Sequence, residues 1–349
     1  MRIIVNDISA EKGGALTVLK SFYNYIVEHD RENEYIFLLS GRFLKETDRI
    51  KIIIRDDIKK SGFHKLKFDL FSGKKFIENL KPDYVLSLQN IITFGLKVRQ
   101  GVYVHQSIPF QKEKNFSLLN SAERSTAVIQ KLIGFFIKRS VMKANQVFVQ
   151  TKWMKYNVAE KCGIPKDKIT IVPFHSDFLE SSVKMTVVPK NSFFYPATAE
   201  SIYKNHSCIY QAINILNQEG IKDFSVKLTL HSPETKRNNI SYCGMLKKDE
   251  LFEEYSKSIL LFPSYIETIG LPLLEAKNAN AVVFVASCEY AKEVLKGYPN
   301  TYYFDPFKPE SLARLMKQAF EGKIIIHDFI NSTEENATWN ILIDKIKKK

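Results

Sequence analysis

Glu267 and Glu275 flank Gly270 in the stretch PSYIETIGLPLLEAKNANAVVFVAS, which runs from Pro263 to Ser287. An ionised carboxylate only accepts hydrogen bonds, so such a pair suits hydroxyl groups: Glu275 the two hydroxyls of a ribose diol, and Glu267 a hydroxyl of a sugar. The run Ile259, Leu260, Leu261, Phe262 reads as a buried parallel strand that Pro263 ends, and Pro272 fits a first helical turn, where a missing N–H costs nothing. Gly270 therefore lies at a strand-to-helix junction, with Glu275 expected in the first turn of the helix. There the backbone amides of Ile269, Gly270 and Leu271, with the positive end of the helix dipole, favour an anion such as a diphosphate.

Three further groups could contribute chemistry, and each has a plainer reading. Gly13 and Gly14, in VNDISAEKGGALTVL, follow the first strand and would let backbone approach a phosphate or a sugar, although a GG turn is a plain loop as often as a binding loop. Lys204, in FYPATAESIYKNHSCIYQA, lies between a strand and a helix, where it can meet a diphosphate as a point charge; taken alone it reads as a surface lysine. His105, in VYVHQSIPF, follows a strand and could donate to a sugar hydroxyl, or simply pack.

Alternating elements must position these groups. Short apolar runs at 3–5, 35–39, 52–54, 84–88, 102–104 and 147–150 alternate with helical patterns at 17–28 and 74–80. A second series starts at 193–196 and continues through a helix at 208–218, strands at 227–230 and 240–243, a helix at 251–257, strands at 259–262 and 282–286 around a helix at 271–278, and a helix at 311–320. Such alternation predicts two doubly wound parallel sheets, whose ligands sit beyond the carboxyl ends of the strands. The expected division is one such domain over 1–175, a second over 190–330, and a terminal helix within 331–349. The segment 127–142, AVIQKLIGFFIKRSVM, reads either as a core-packing helix or as an amphipathic basic helix lying on an anionic membrane. Thr151 is expected to cap the helix that begins at Lys152.

With 349 residues and a hydrophobic fraction of 45%, the chain can bury two cores. Its four cysteines are widely spaced and form no metal-binding pattern, so neither a disulfide scaffold nor a metal site is expected, and free thiols suit the cytoplasm. No apolar stretch approaches the roughly 18 residues of a membrane span. The net charge is +13, and residues 51–150 carry 18 Lys and Arg against 7 Asp and Glu. That concentration suits a polyanionic or lipid-linked acceptor, or the inner face of an anionic membrane, as well as a solvated surface.

Taken together, the GG loop, QTKWMKYNVAEKCGIPKDKITIVPF, FYPATAESIYKNH, YCGMLKKDELFEEYSKSILLFPS and the Glu-x7-Glu element from Glu267 to Glu275 resemble the family 4 glycosyltransferases. The resemblance implies a GT-B fold, an acceptor-binding Rossmann-like domain over 1–175 and a nucleotide-sugar-binding Rossmann-like domain over 190–330 facing a central cleft, a terminal helix that packs back toward the first domain, and transfer from a nucleoside-diphosphate sugar with retention and without a metal or other cofactor. It implies that Glu275 holds the donor ribose, Glu267 contacts the sugar near its anomeric centre and Lys204 binds the diphosphate. It further places Gly14 and the amides of 269–271 on the phosphates and His105 beside the transferred sugar. The acceptor implied is a saccharide or lipid-linked saccharide of bacterial surface polysaccharide, such as capsule or O-antigen, and nucleic acid is not a partner. Departures are the absence of an arginine shortly before Lys204, Thr268 and Ile269 in the turn, and Gln106 after His105; the donor, whether UDP, GDP or dTDP, stays open. A GT-B-shaped epimerase and a polyanion- or membrane-binding module are the alternative readings.

Overall fold

The structure is a computed structural model that describes residues 1–174, 183–197, 199–233, 237–329 and 338–348. The chain divides into two units, each built on one parallel sheet. The first comprises residues 1–112, 127–176 and 335–349, and the second residues 113–126 and 177–334.

In the first unit, β1 (Arg2–Asn6), β2 (Glu34–Leu39), β3 (Ile50–Ile54), β4 (Tyr84–Ser87), β5 (Arg99–Val104), β6 (Gln146–Val149) and β7 (Ile169–Ile171) pair in the order β3-β2-β1-β4-β5-β6-β7. The order reverses between β1 and β4, which places the topological switch point there. Parallel strands covered on both faces need unbroken apolar runs, and Ile3, Ile4 and Val5 are all fully buried. The helix Gly13–His29 lays Val18, Leu19, Phe22 and Ile26 onto the core at helical spacing. It starts four residues earlier than the apolar pattern signals. The helix Lys152–Cys162 is capped as expected, with Thr151 Oγ1 accepting from the Met154 amide, and it ends at Gly163 in the left-handed region.

Two helices of the first unit carry a π turn. One runs Gly62–Lys67, Phe68–Ser72, Gly73–Asn79 and the other Arg124–Val128, Ile129–Ile133, Gly134–Lys143, the middle segment being the π turn in each. Each turn closes when a glycine amide donates to the carbonyl five residues earlier, Gly73 to Phe68 and Gly134 to Ile129. Space demands glycine at 73, where a Cβ would stand 2.7 Å from the Phe68 oxygen, and makes a side chain tight at 134, where a Cβ would stand 3.0 Å from Pro109 Cβ and 3.2 Å from the Ile129 oxygen.

The helix Thr338–Lys347 belongs to the first unit. Trp339 Nε1 donates to Ser21 Oγ at 3.0 Å, and its ring meets Phe22 at 5.1 Å and Tyr103 at 5.5 Å. The span 1–175 differs in one respect from the unit observed, because residues 113–126 group with the second. The charges of that segment lie near second-unit groups: Glu289 helps burial raise the Glu113 carboxyl, and Glu123 helps burial raise the Tyr265 phenol, while Phe116 is fully buried. Of the stretch between the two expected domains, residues 176–182 lie outside the described residues.

The second unit contains β8 (Ser192–Tyr195), β9 (Ser225–Leu228), β10 (Ile240–Tyr242), β11 (Ile259–Phe262), β12 (Val283–Ala286) and β13 (Thr301–Phe304) in the order β10-β9-β8-β11-β12-β13. Its switch point falls between β8 and β11, whose registers pair Ile259 with Phe193 and Leu260 with Phe194. Strand β13 was not apparent in the sequence, where TYYFD follows a Gly-Tyr-Pro-Asn turn and only Phe304 of the strand is buried.

Candidate active site

Lys204, Glu267 and Gly270 meet at the switch point of the second sheet. Lys204 closes a short 3-10 turn, Ile202–Lys204, after β8, and Asn205 then takes the left-handed conformation, φ 57°, before the helix His206–Gln218. Asn205 Nδ2 donates to the carbonyls of Pro263 at 3.3 Å and Pro306 at 2.8 Å, so one side chain ties the loops after β8, β11 and β13. Tyr195 OH donates to the Lys204 carbonyl at 2.9 Å, and the Tyr265 amide donates to the Tyr203 carbonyl at 3.1 Å. These bonds fix both loops at the carboxyl edge of the sheet before any ligand arrives.

Within that frame Lys204 Nζ donates to Glu267 Oε1 at 2.5 Å, and Ser264 Oγ donates to the same oxygen at 2.8 Å. The side chains keep 27% and 16% exposure, so the pair is sheltered but reachable. Burial alone would lower the Lys204 ammonium, yet the charge and hydrogen bond of Glu267 outweigh it and hold the pKa above its ordinary value. Lys204 stays charged near neutral pH.

Gly270 caps the helix Leu271–Asn278 with φ 74°, and a Cβ there would press to 3.2 Å on the Phe262 ring. Both constraints favour glycine. Pro272 occupies the first turn as the sequence implies, but Glu275 is the fifth residue of the helix and lies beyond that turn. With Gly270 as the cap, the helix opens at Leu271, which makes Glu275 its fifth residue. Glu275 Oε2 accepts from Tyr255 OH at 2.7 Å, across from the helix Lys248–Lys257. Burial raises the Glu275 carboxyl above the usual range, while the Tyr255 hydrogen bond and the charge of Lys248 oppose the shift. Ile269 is buried and Leu271 half-buried, on either side of the cap.

Lys204, Glu267, Ile269, Gly270, Leu271 and Glu275 thus belong to the second unit, and Gly13, Gly14 and His105 to the first. Gly13 has φ 63°, and a Cβ at either glycine would meet nothing within 4 Å, so the start of that helix is open to approach. His105 follows β5; its amide donates to Asn90 Oδ1 at 2.7 Å, its ring lies 6.1 Å from that of Tyr103, and burial pushes its imidazole down to about 4.

Three residues escaped sequence reasoning. Tyr255 donates its hydroxyl to Glu275, Ser264 shares Glu267, and Asn205 shapes the lysine loop. Tyr255 falls on the apolar side of its helix and reads as core, and Ser264 is a lone polar residue after Pro263. Asn205 alone had a usable signal, because Asn tolerates the left-handed conformation at a helix start.

The arrangement offers a screened cation, a helix N-terminus and two carboxyls within one loop system, which suits an anion linked to hydroxyl-bearing rings. Among the described residues, no group of three or more His, Cys, Asp or Glu could hold a metal ion, and no helix is long and apolar enough to cross a membrane.

A sequence model of the family described as "Glycosyl transferases group 1" matches residues 225–336, which includes Glu267, Gly270 and Glu275 but not Lys204. The chain is 22% identical over 326 residues to the O-antigen chain mannosyltransferase RfbU of Salmonella typhimurium, a match that covers 85% of this chain and 92% of that protein. It superposes on WaaG, a glycosyltransferase involved in lipopolysaccharide biosynthesis, with a TM-score of 0.66 at 14% identity over 92% of this chain and 90% of the other. Anabaena HepE, solved in complex with UDP-glucose, superposes with a TM-score of 0.62 at 15% identity over 93% and 90%. The superpositions show the GT-B fold. Together with the match over residues 225–336, they mark the chain as a glycosyltransferase.

Proposed function

We propose that this enzyme moves a hexose from a nucleoside-diphosphate sugar to an acceptor hydroxyl, with retention at the anomeric carbon, during synthesis of a bacterial surface polysaccharide of the lipopolysaccharide or O-antigen kind. The observation that carries the reading is the convergence of Lys204, Glu267 and the Gly270 cap at the β8/β11 switch point, with Glu275 one helical turn beyond. Support also comes from RfbU, a mannosyltransferase of O-antigen chains, and from HepE, which binds UDP-glucose.

In this mechanism Glu275 accepts from the ribose hydroxyls and Glu267 from a hydroxyl of the transferred sugar. Lys204 and the amides of 269–271 stabilise the diphosphate as the bond from the anomeric carbon to its oxygen breaks. The acceptor oxygen bonds to the same face of that carbon, and its proton passes to the departing phosphate oxygen. Gly13 and Gly14 supply close backbone approach to the phosphates. His105, neutral near pH 7, serves as a hydrogen-bonding group for the sugar rather than as an acid. The acceptor is a saccharide or lipid-linked saccharide, and the basic surplus of residues 51–150 suits work at an anionic membrane face. No metal or other cofactor enters these steps.

The test is turnover with UDP-, GDP- and dTDP-hexoses, followed by release of nucleoside diphosphate and by NMR of the product's anomeric coupling. One donor turned over with retention is expected. Inversion would remove the stereochemical assignment, and no turnover with any donor would remove the reading.

A further inference from the structure

The first unit holds a cavity of about 500 Å³, within the roughly 300–1,000 Å³ range of small-molecule sites. It lies at the other switch point, because Ser9 follows β1 and Gln89 and Asn90 follow β4. Its two ends differ in chemistry. At the sheet edge, Ser9 Oγ donates to Gln89 Oε1 at 3.3 Å, Gln89 Nε2 to Asp69 Oδ1 at 3.2 Å, and Lys65 Nζ to Asp69 Oδ2 at 2.7 Å. Asn90 Oδ1 accepts the amides of His105 and Gln106 at 2.7 and 2.9 Å, so its NH2 is the group left to donate. Away from the sheet the walls are Phe63, Leu66, Ile129, Leu132, Ile133 and Phe136. Two of these form lips in solvent: Phe63 is 74% and Leu132 57% exposed.

Both π turns border this cavity, one through Asp69 and the other through Ile129, Leu132 and Ile133. A π turn sacrifices regular helical bonding and is frequent at functional sites, and here two of them flank one space. The apolar walls offer no hydrogen bond to a sugar, whose hydroxyls would be stranded against them. They suit a hydrocarbon chain. Among the described residues the one cation of the lining, Lys65, is held by Asp69, and the surrounding stretch 51–150 carries 18 basic against 7 acidic residues, which favours a chain whose head is anionic.

We propose that this cavity binds the alkyl or isoprenoid tail of an anionic amphiphile, entering between the Phe63 and Leu132 lips, with polar atoms at the Asn90 end. That the amphiphile is the glycosyl acceptor rests on the function proposed above; the binding of a tail does not.

The probe is a series of n-alkyl phosphates, C6 to C10, titrated calorimetrically into the full chain below their micelle concentrations, with inorganic phosphate as control. Affinity is expected to rise roughly fourfold per added methylene, the gain that burial of one CH2 group gives, and inorganic phosphate should not bind at this site. Phe63→Asp and Leu132→Asp change exposed lips and should weaken the C10 compound at least tenfold. Phe71→Asp changes an equally exposed aromatic, 73%, that does not line the cavity, and should leave binding intact. Affinity independent of chain length, equal binding by all variants, or equal loss in all three would overturn the proposal. Nucleoside-diphosphate binding measured on the same samples separates this outcome from failure of the glycosyl-transfer reading.

Discussion

Replacing Lys204 by Met removes a charge while keeping most of the side chain's length, and its consequences follow from the geometry. Glu267 is 16% exposed and would keep only the Ser264 hydroxyl at 2.8 Å, so a mostly buried carboxylate would lose its counter-charge. Removing one partner of a fully buried pair costs about 3–5 kcal/mol, and the 27% exposure of Lys204 reduces this to about 1–3 kcal/mol here. The catalytic cost should be separate and larger. A preorganised donor facing developing charge is worth about 100- to 1,000-fold in kcat. Glu267→Gln is the informative companion, because it frees Lys204 from its partner. It should hold or tighten nucleoside-diphosphate binding while lowering kcat, whereas Lys204→Met should weaken both. Denaturant titration gives the stability term, and steady-state release of nucleoside diphosphate gives the kinetic one. If Lys204→Met kept a third or more of wild-type kcat, or lost activity only in proportion to its unfolded fraction, the assignment of Lys204 to the leaving group would be refuted.

Three other substitutions carry clear expectations. Tyr255→Phe removes the hydroxyl that holds Glu275 and should cost about 1–2 kcal/mol of stability, with donor affinity falling several-fold by calorimetry; unchanged affinity would detach Glu275 from the donor. Gly270→Ala forces a side chain into the left-handed region at φ 74° and against the Phe262 ring, and should cost about 1–2 kcal/mol and lower kcat; a wild-type melting curve would contradict it. Asp7, after β1, is buried without a side-chain partner, and burial pushes its carboxyl up to about 8 from 3.8. The folded state keeps a proton that the unfolded chain releases, so its contribution is full below about pH 4 and is eroded as pH rises toward 8. Asp7→Asn should therefore gain on the wild type between pH 5 and 9 in denaturant titrations, and parallel pH slopes would show that Asp7 ionises normally.

Most of the second unit's strand-to-helix junction is legible in the sequence because its local signals agree. Ile259–Phe262 is a strand of four buried residues, and Pro272 and Gly270 mark a helix start, so the strand and the helix 271–278 appear with the bounds that pattern implies. Elements with half-polar faces were harder: Thr301–Phe304 buries one residue, and the short helix Glu289–Val294 lacks a long apolar stripe. The π turns at Phe68–Ser72 and Ile129–Ile133 follow from a carbonyl-to-glycine contact five residues apart, which no periodicity of 3.6 reveals. At the site, residue types were legible and pairings were not. Lys204 and Glu267 were each assigned to a ligand, yet here they hold each other, a contact between loops 63 positions apart that only the switch point brings together. Tyr255 stayed hidden for the same reason, since its value lies in a carboxyl 20 positions away.

The central claim is that the second unit holds a nucleoside-diphosphate sugar through Glu275 and Lys204. Calorimetric titration of UDP, GDP and dTDP into the wild-type chain and into Glu275→Ala tests it most directly. The account predicts saturable binding of one nucleoside diphosphate by the wild type and at least tenfold weaker binding by the variant, with the fold intact by circular dichroism. Equal binding by both proteins, or no binding of any of the three nucleotides by the wild type, would contradict it.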